Sequence, residues 1–192
     1  SSDVCSSDLK KRIQLPLRDE DLTELRAGDS ILLNGPLLTG RDAAHKRLLA
    51  ALQDGKELPV AIKGETIYYV GPCPTKPGRV IGSAGPTTSS RMDSYTPTLL
   101  KMGLKGMVGK GQRSPEVVEA MSSYGAVYLA ALGGAGALIA NSIIKAEIIA
   151  YPDLGPEAIY RMVVEDLPVI VAIDSWGNDL YQTGRVEYQR RR

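Results

Sequence analysis

Glycine and proline divide this chain of 192 residues into short segments, because 20 Gly and 12 Pro are spread along it. Both residues end helices and strands or occupy turns, so the sequence predicts many turns and few long helices. There is no Phe, and the core must therefore be built from Leu, Ile, Val and Ala. Hydrophobic residues make up 43% and charged residues 23%, a balance typical of a folded globular protein and not of a disordered chain.

Short apolar runs predict strands, and amphipathic runs between them predict helices. The predicted strands are 11–17, 30–33, 60–62, 66–70, 80–82, 106–109, 126–132, 148–151 and 169–173. The second of these is expected to stop at Asn34-Gly35-Pro36. The predicted helices begin at Arg18, Ala43, Thr88, Thr96 and Pro115. No internal repeat and no clear linker divides the chain.

The charge balance argues against two classes of partner. The formal net charge is +1, so no general attraction to nucleic acid or to an anionic membrane is expected. The uncharged stretch 125–144 is long enough to cross a bilayer, but it contains Gly133-Gly134-Ala135-Gly136 and Asn141-Ser142. A strand, a Gly-rich turn and a helix of small residues explain this stretch better. Since nothing suggests export, we expect a cytoplasmic protein.

The two ends of the chain differ from the rest. Residues 1–9 read SSDVCSSDL, which resembles the translation of a sequencing-library adaptor, and we expect them to be a non-native leader. Residues 10–184 are then predicted to form the domain, and 185–192 a charged, solvated tail. The two Cys cannot supply the thiolates of a tetrahedral zinc site or an iron–sulfur cluster, so no metal ligand is expected in this chain.

Several familiar motifs fail on inspection. Lys110 is followed by Gly111 and not by Ser or Thr, so it does not complete a phosphate-binding loop. Ile139 stands where a dinucleotide-binding fingerprint needs Gly or Ala. The single His, His45, is expected to face solvent or to cap a helix, and Cys73 to be inert in its Pro-rich loop.

Three segments, 39–47, 85–95 and 109–114, each place a cation or hydroxyl in a Gly-rich turn before a helix. Such turns allow backbone N–H groups and a helix N-terminus to meet an anion. Arg41, Arg91 and Lys110 together have the chemistry to bind a small dicarboxylate. Thr87 lies four residues before Arg91 and is expected on the same side of the first helical turn. Taken singly, each segment is better explained as an ordinary capped turn than as a binding site.

The motifs TGRDAAHKR, GPCPTKPGRVIGSAGPTTSSRMDSY and GKGQRS follow one another along the chain. In this order and spacing they resemble the β-subunit, or C-terminal domain, of class I iron–sulfur fumarate hydratases, from about residue 11 to residue 180. The β-subunit of tartrate dehydratase is similar, but it differs in the first motif and lacks Gln-Arg-Ser after Gly-Lys-Gly. The resemblance therefore favours fumarase.

This resemblance implies a swivelling β/β/α three-layer domain of the α/β class. It also implies a hetero-oligomer in which an α-subunit, and not this chain, ligates a four-iron–four-sulfur cluster and a C4 dicarboxylate binds between the subunits. Thr87 matches the family's proton-abstracting position, and Arg41, Arg91 and Lys110 match the positions that hold substrate carboxylates. Two alternatives stay open: a tartrate dehydratase or other dicarboxylate hydro-lyase, and a non-catalytic interaction module.

Overall fold

The computed structural model describes residues 10–131 and 136–190. The predicted leader, 1–9, lies outside the described residues, as do 132–135, which include most of the predicted Gly-rich turn, and the last two residues of the predicted tail.

The described residues form a mixed α/β structure in which strands and helices alternate. The strands are β1 (Lys11–Gln14), β2 (Ser30–Thr39), β3 (Thr66–Tyr68), β4 (Gly106–Gly109), β5 (Val127–Ala131), β6 (Ile143–Ala150) and β7 (Ile159–Ile173). The helices are α1 (Asp19–Glu24), α2 (Asp42–Gln53), α3 (Thr96–Lys101), α4 (Pro115–Tyr124), α5 (Gly136–Asn141) and α6 (Leu180–Arg190). Two 3-10 turns cover Ser89–Met92 and Pro152–Glu157.

The sheet closes on itself through its longest strand. β2, β3, β4 and β5 are parallel neighbours in that order, and β1 adds to β2, also in parallel. β7 runs antiparallel to both β5 and β2, so five strands form a paired ring. β6 pairs with the first half of β7. Within this ring the carboxyl ends of β2, β3 and β4 meet at one edge.

Two apolar cores lie on opposite faces of the parallel strands, because successive side chains of a strand point to opposite sides. Tyr68 and Val108 belong to the core enclosed by the strands. Their neighbours Ile67 and Met107 belong to the core that includes side chains of α2, α3 and α4. The helical members of that second core include Leu48 of α2, Leu99 of α3 and Val117 of α4. The helices α2, α3 and α4 therefore cover the outer face of the sheet.

The predicted end of β2 at Asn34-Gly35-Pro36 is wrong. The strand continues to Thr39, and its register with β7 shifts between Leu33 and Gly35. Gly35 supplies the positive φ of 116° that this bulge requires. The Asn34 side chain accepts a hydrogen bond from the backbone N–H of Asp166 across the bulge, at 3.0 Å. A turn-like tripeptide thus serves as a bend inside a strand.

Other predicted boundaries also change. Segments 60–62 and 80–82 are not strands, although Ile62 and Ile81 are buried, because neither segment finds a strand to pair with. β6 and β7 begin earlier than predicted, since their pairing with each other does not depend on local apolar runs. The helix expected from Thr88 is a 3-10 turn of four residues. The predicted tail is helical over 185–190, and its described side chains there are exposed.

The stretch 125–144 contains β5 and α5, as the sequence predicts for its ends. Within residues 10–131 and 136–190, no helix combines the length and apolar composition needed to cross a bilayer.

Replacing Gly109 at the end of β4 tests how closely this edge is packed. A Cβ at Gly109 would overlap Ser89 Oγ and lie 2.9 Å from a ring carbon of Tyr69. We expect Gly109→Ala to lower the free energy of unfolding by about 1–3 kcal/mol, measured by urea denaturation. Gly184→Ala is the matched control, because nothing lies within 4 Å of its Cβ. Equal unfolding midpoints for the two variants would contradict the packing at Gly109.

Candidate functional site

The four residues selected from the sequence all lie at the edge where the parallel strands end. Arg41 follows β2 by two residues, and Lys110 directly follows β4. The backbone N–H of Thr87 donates to the carbonyl of Tyr69, the residue after β3, at 2.7 Å. Carboxyl ends of parallel strands form one edge, and this is the edge at which open α/β sheets bind ligands.

Backbone hydrogen bonds connect Thr87 to Lys110. The segment 87–89 bonds to Tyr69 at one end, and at the other the N–H of Ser89 donates to the Lys110 carbonyl at 2.9 Å. Thr88 and Lys110 form an isolated parallel bridge between these two contacts. The segment therefore joins the chain beyond β3 to the chain beyond β4. Within this segment, Thr87 is anchored by its main chain and not by its side chain.

An acidic residue connects Arg41 to Arg91. Asp42, which follows Arg41, accepts a hydrogen bond on Oδ1 from Arg91 Nε at 3.1 Å, and its Oδ2 lies 3.0 Å from Arg91 Nη2. Arg41 Nε lies 3.8 Å from Glu157 Oε1. A Cβ at position 71 would lie only 2.7 Å from Arg41 Nη1, so Gly71 leaves room for this guanidinium.

The edge presents three cations and one hydroxyl. Lys110 and Arg91 are exposed, and Arg41 and Thr87 are half-buried. Within the described part of the chain, the Lys110 ammonium makes neither an ion pair nor a hydrogen bond. Cationic side chains at partly exposed positions can bind a small dianion through bidentate and single contacts. The structure thus brings together all four residues selected from the sequence.

The expectation that His45 faces solvent is wrong. The ring is 1% exposed and lies edge-on to Tyr69, with ring centroids 5.5 Å apart. Its Nδ1 is 2.8 Å from the carbonyl of Arg41, which can only accept, so Nδ1 carries the proton. Burial lowers the pKa of His45 to about 4, and the ring is therefore neutral at neutral pH. Its Nε2 and the Tyr69 hydroxyl are buried without a hydrogen-bond partner among the described residues.

A buried ion pair lies beneath the edge. The Arg113 side chain is fully buried, donates from Nε to Asp93 Oδ1 at 2.6 Å and packs over the rings of Tyr69 and Tyr128. Asp93 also accepts from the backbone N–H of Ser114, the residue that caps α4, at 2.8 Å. The pair therefore fixes the 3-10 turn carrying Arg91 to the start of α4.

Tyr128 adds a second link below the segment 87–89. Its hydroxyl donates to the Gly111 carbonyl at 2.8 Å and lies 2.8 Å from Ser89 Oγ. Burial raises the pKa of the Tyr128 phenol, so the group stays protonated and keeps this donor. Tyr128 therefore holds both Gly111, the residue after Lys110, and Ser89, whose N–H donates to the Lys110 carbonyl.

A sizeable groove lies elsewhere on the described residues. It has a volume of about 860 Å³ and is lined by α4 and α6, including Val118, Gln182 and Val186. None of the four selected residues lines it.

The chain's own residues do not fit an iron–sulfur cluster. The sequence has two Cys, and Cys73 is exposed in a loop. In the described ranges, no group of three or more His, Cys, Asp or Glu side chains is placed to hold a metal ion.

Comparison with known proteins identifies the family. Residues 2–184 match the family described as "Fumarase C-terminus". The chain belongs to this family.

Relatives with curated names include longer fumarate hydratases and a protein named as a subunit. The anaerobic class I fumarate hydratase of Escherichia coli (strain K12) is 40% identical over 178 residues, which cover 91% of this chain and 32% of that protein. Fumarate hydratase 2 of Leishmania major is 39% identical, over 84% of this chain and 29% of that protein. A Methanocaldococcus jannaschii protein, provisionally named as the β-subunit of L(+)-tartrate dehydratase, is 38% identical over 86% of this chain and 88% of its own length. The chain thus spans about a third of the fumarate hydratases and most of the subunit.

The sequence patterns did not predict a role for the acidic and buried residues at this edge of the sheet. Asp42 and Arg113 lie inside the selected segments, but neither was among the residues predicted to bind a dicarboxylate. Their local signals were weak, because an acid at the start of a helix and a cation before a helix cap are common. The partners Asp93 and Tyr128 are distant in sequence from the residues that they contact.

The buried His45 makes stability depend on pH in a defined direction. Its pKa is about 4 when folded and near 6.5 when unfolded, so its contribution is complete above about pH 6.5 and is lost as the pH falls towards 4. That loss amounts to about 3 kcal/mol. We expect urea unfolding of wild type and His45→Gln at pH 7.5, 6 and 4.5 to show a shallower pH dependence for the variant. Parallel pH profiles would contradict a buried, neutral His45.

Proposed function

We propose that this chain is the β-part of a class I hydro-lyase that interconverts fumarate and malate together with a cluster-bearing α-subunit. The observation that carries the proposal is the convergence of Arg41, Thr87, Arg91 and Lys110 at the carboxyl edge of the parallel strands. The named activities of the relatives support it. The full activity requires more than this chain, since the chain spans about a third of those enzymes.

We infer a partner subunit from the groups that this chain supplies to the site and from those that it lacks. The cations of this chain bind carboxylates, but its two Cys do not provide a cluster. We therefore place the four-iron–four-sulfur cluster on the α-subunit, in a hetero-oligomer whose C4 dicarboxylate lies between the subunits. The coverage of 88% of a protein named as a β-subunit supports this arrangement.

The chemistry of this chain follows from charge. Removal of the C3 proton of malate produces an aci-carboxylate-like intermediate with more negative charge than the substrate. Arg41, Arg91 and Lys110 bind the substrate carboxylates and also stabilise the added charge, so they contribute both to ground-state binding and to the transition state. Thr87 would accept the proton as its alkoxide and so become a neutral hydroxyl, while the cluster on the α-subunit would supply a Lewis acid for the departing hydroxide. A hydroxyl is a weak base, so its role depends on the cations lowering its pKa.

We also propose that the fold is the swivelling β/β/α three-layer type. The two apolar cores, one enclosed by strands and one between the sheet and the helices, support this assignment.

A second candidate substrate is tartrate, favoured by the provisional name of the Methanocaldococcus jannaschii relative. The deciding experiment is anaerobic co-expression with a cognate α-subunit, followed by kcat/KM measurements with fumarate, mesaconate and tartrate. The highest kcat/KM for fumarate supports our proposal, and the highest for tartrate replaces it. A chain that binds neither an α-subunit nor a dicarboxylate would be a non-catalytic module.

Thr87→Ala tests the proton-transfer role. We expect kcat to fall by at least about 100-fold, the usual contribution of a general base, while the complex still assembles. Its backbone bonds to Tyr69 do not depend on the side chain, so the edge should keep its geometry. The measurement is loss of fumarate absorbance, with size-exclusion chromatography to verify assembly. Turnover like that of wild type would remove Thr87 from the mechanism.

Arg41→Ala and Arg91→Ala test carboxylate binding. We expect KM to rise about tenfold or more, with some loss of kcat, because a charge-assisted contact contributes about 1.5–3 kcal/mol in both states. Arg47→Ala is the control, since Arg47 lies on α2 and pairs with Asp153 outside the selected residues. A KM for all three variants equal to that of wild type would show that the cations of this edge do not bind substrate.

A further inference from the structure

We propose that Asp42 is a positioning residue that orients Arg91 towards the substrate carboxylate. This inference rests on the proposed function and adds a residue to its site. Asp42 does not contact the substrate in this proposal; it acts only through the guanidinium of Arg91.

The geometry of the pair leaves Arg91 able to bind a second anion. Asp42 faces the Nε side of the guanidinium: its Oδ1 accepts from Nε at 3.1 Å, and its Oδ2 lies 3.0 Å from Nη2 as an ion-pair contact without hydrogen-bond geometry. An arginine side chain has five N–H donors in a planar fork. The end-on edge, formed by Nη1 and the second N–H of Nη2, therefore remains available for a bidentate carboxylate contact.

Arg91 needs such a partner because its own backbone does little to fix its side chain. It lies on a 3-10 turn of four residues, and its side chain is 52% exposed. A long exposed side chain loses substantial conformational entropy when it is ordered. Pairing with Asp42 before substrate arrives removes part of that cost from binding.

Asp42 is a more rigid anchor than Arg91. It is the first residue of the 12-residue helix α2, where a negative charge interacts favourably with the helix dipole, and its side chain is 31% exposed. It is also 49 residues from Arg91 in sequence, so the pair ties the segment after β2 to the segment after β3. The pair thus links two of the selected segments through their side chains.

If Asp42 did not position Arg91, its negative charge would only weaken the binding of a dianionic substrate. A carboxylate next to a site for a dianion repels the ligand and neutralises a cation that would attract it. If Asp42 only neutralised Arg91, its removal would improve substrate binding. If Asp42 positions Arg91, its removal weakens binding. The two roles therefore predict KM changes of opposite sign.

Three of the other arginine–acid pairs in the chain differ from this one. Arg113 is fully buried with Asp93, and Arg41 is 3.8 Å from Glu157, beyond hydrogen-bond distance. Arg47, on the same helix as Asp42, forms an exposed pair with Asp153 of the second 3-10 turn, and neither is among the selected residues. Asp153→Asn is therefore a matched control for Asp42→Asn.

The test uses the complex with the α-subunit, and wild type is measured first. If wild type does not hydrate fumarate, the proposed function fails before Asp42 is examined. If it is active, we expect Asp42→Asn to raise KM for fumarate about tenfold, equivalent to one lost charge-assisted contact, with a smaller effect on kcat. Asp153→Asn should leave both constants unchanged. We expect Asp42→Glu, which keeps a carboxylate, to restore part of the loss.

A double-variant comparison separates positioning from a structural role. In an Arg91→Ala background, Asp42→Asn should cause no further rise in KM, because the group that it positions is gone. Equal effects of Asp42→Asn in both backgrounds, an unchanged KM or a lowered KM would each overturn the proposal. Should Asp42→Asn fail to assemble, Asp42→Glu decides: a raised KM with Arg91 present and no added rise with Arg91→Ala supports positioning, and any other result rejects it.

Discussion

The double pairing of β7 is the constraint on which the rest of the structure depends. This strand of 15 residues bonds to β2 along one part of its length and to β5 along another. The four parallel strands from β2 to β5 are thereby held as one curved sheet. Their carboxyl ends lie at a common edge as a result, and the three segments that bear the selected residues all leave from that edge.

The edge is supported by polar groups that are themselves buried. Arg113 with Asp93, and Tyr128 with Ser89 and Gly111, satisfy one another beneath the exposed cations. Breaking a buried ion pair leaves an uncompensated charge, which is far more costly than losing an exposed pair. The layer below the cations is therefore costly to disrupt.

Much of the site could be predicted from the sequence because its members are local. Gly-rich turns before helices signal anion contacts within a few residues, so Arg41, Thr87, Arg91 and Lys110 were recognisable. The convergence of these turns depends on strand order, which periodicity does not encode. His45 shows the same limit: its sequence neighbours Ala44 and Lys46 do not reveal that it packs against Tyr69.

The fold was predictable where pattern and pairing agree. Strands β3, β4 and β5 and helices α2, α3 and α4 follow from apolar runs and turn residues. The first half of β7 and most of β6 do not, because those residues are strands only through their mutual pairing. The strand end predicted at Asn34-Gly35-Pro36 is wrong for a related reason. A tripeptide typical of turns also suits a bulge between two partner strands.

The main-chain anchoring of 87–89 separates the scaffold of the site from its chemistry. Because Tyr69 and Lys110 hold this segment through backbone atoms, the side chain at position 87 is not part of what keeps it in place. The side chain at position 87, the proposed proton acceptor, can therefore be exchanged at little structural cost. Under the proposed function, one backbone would suit relatives with different acid substrates, because the side chains at this edge can change while the main-chain bonds stay the same.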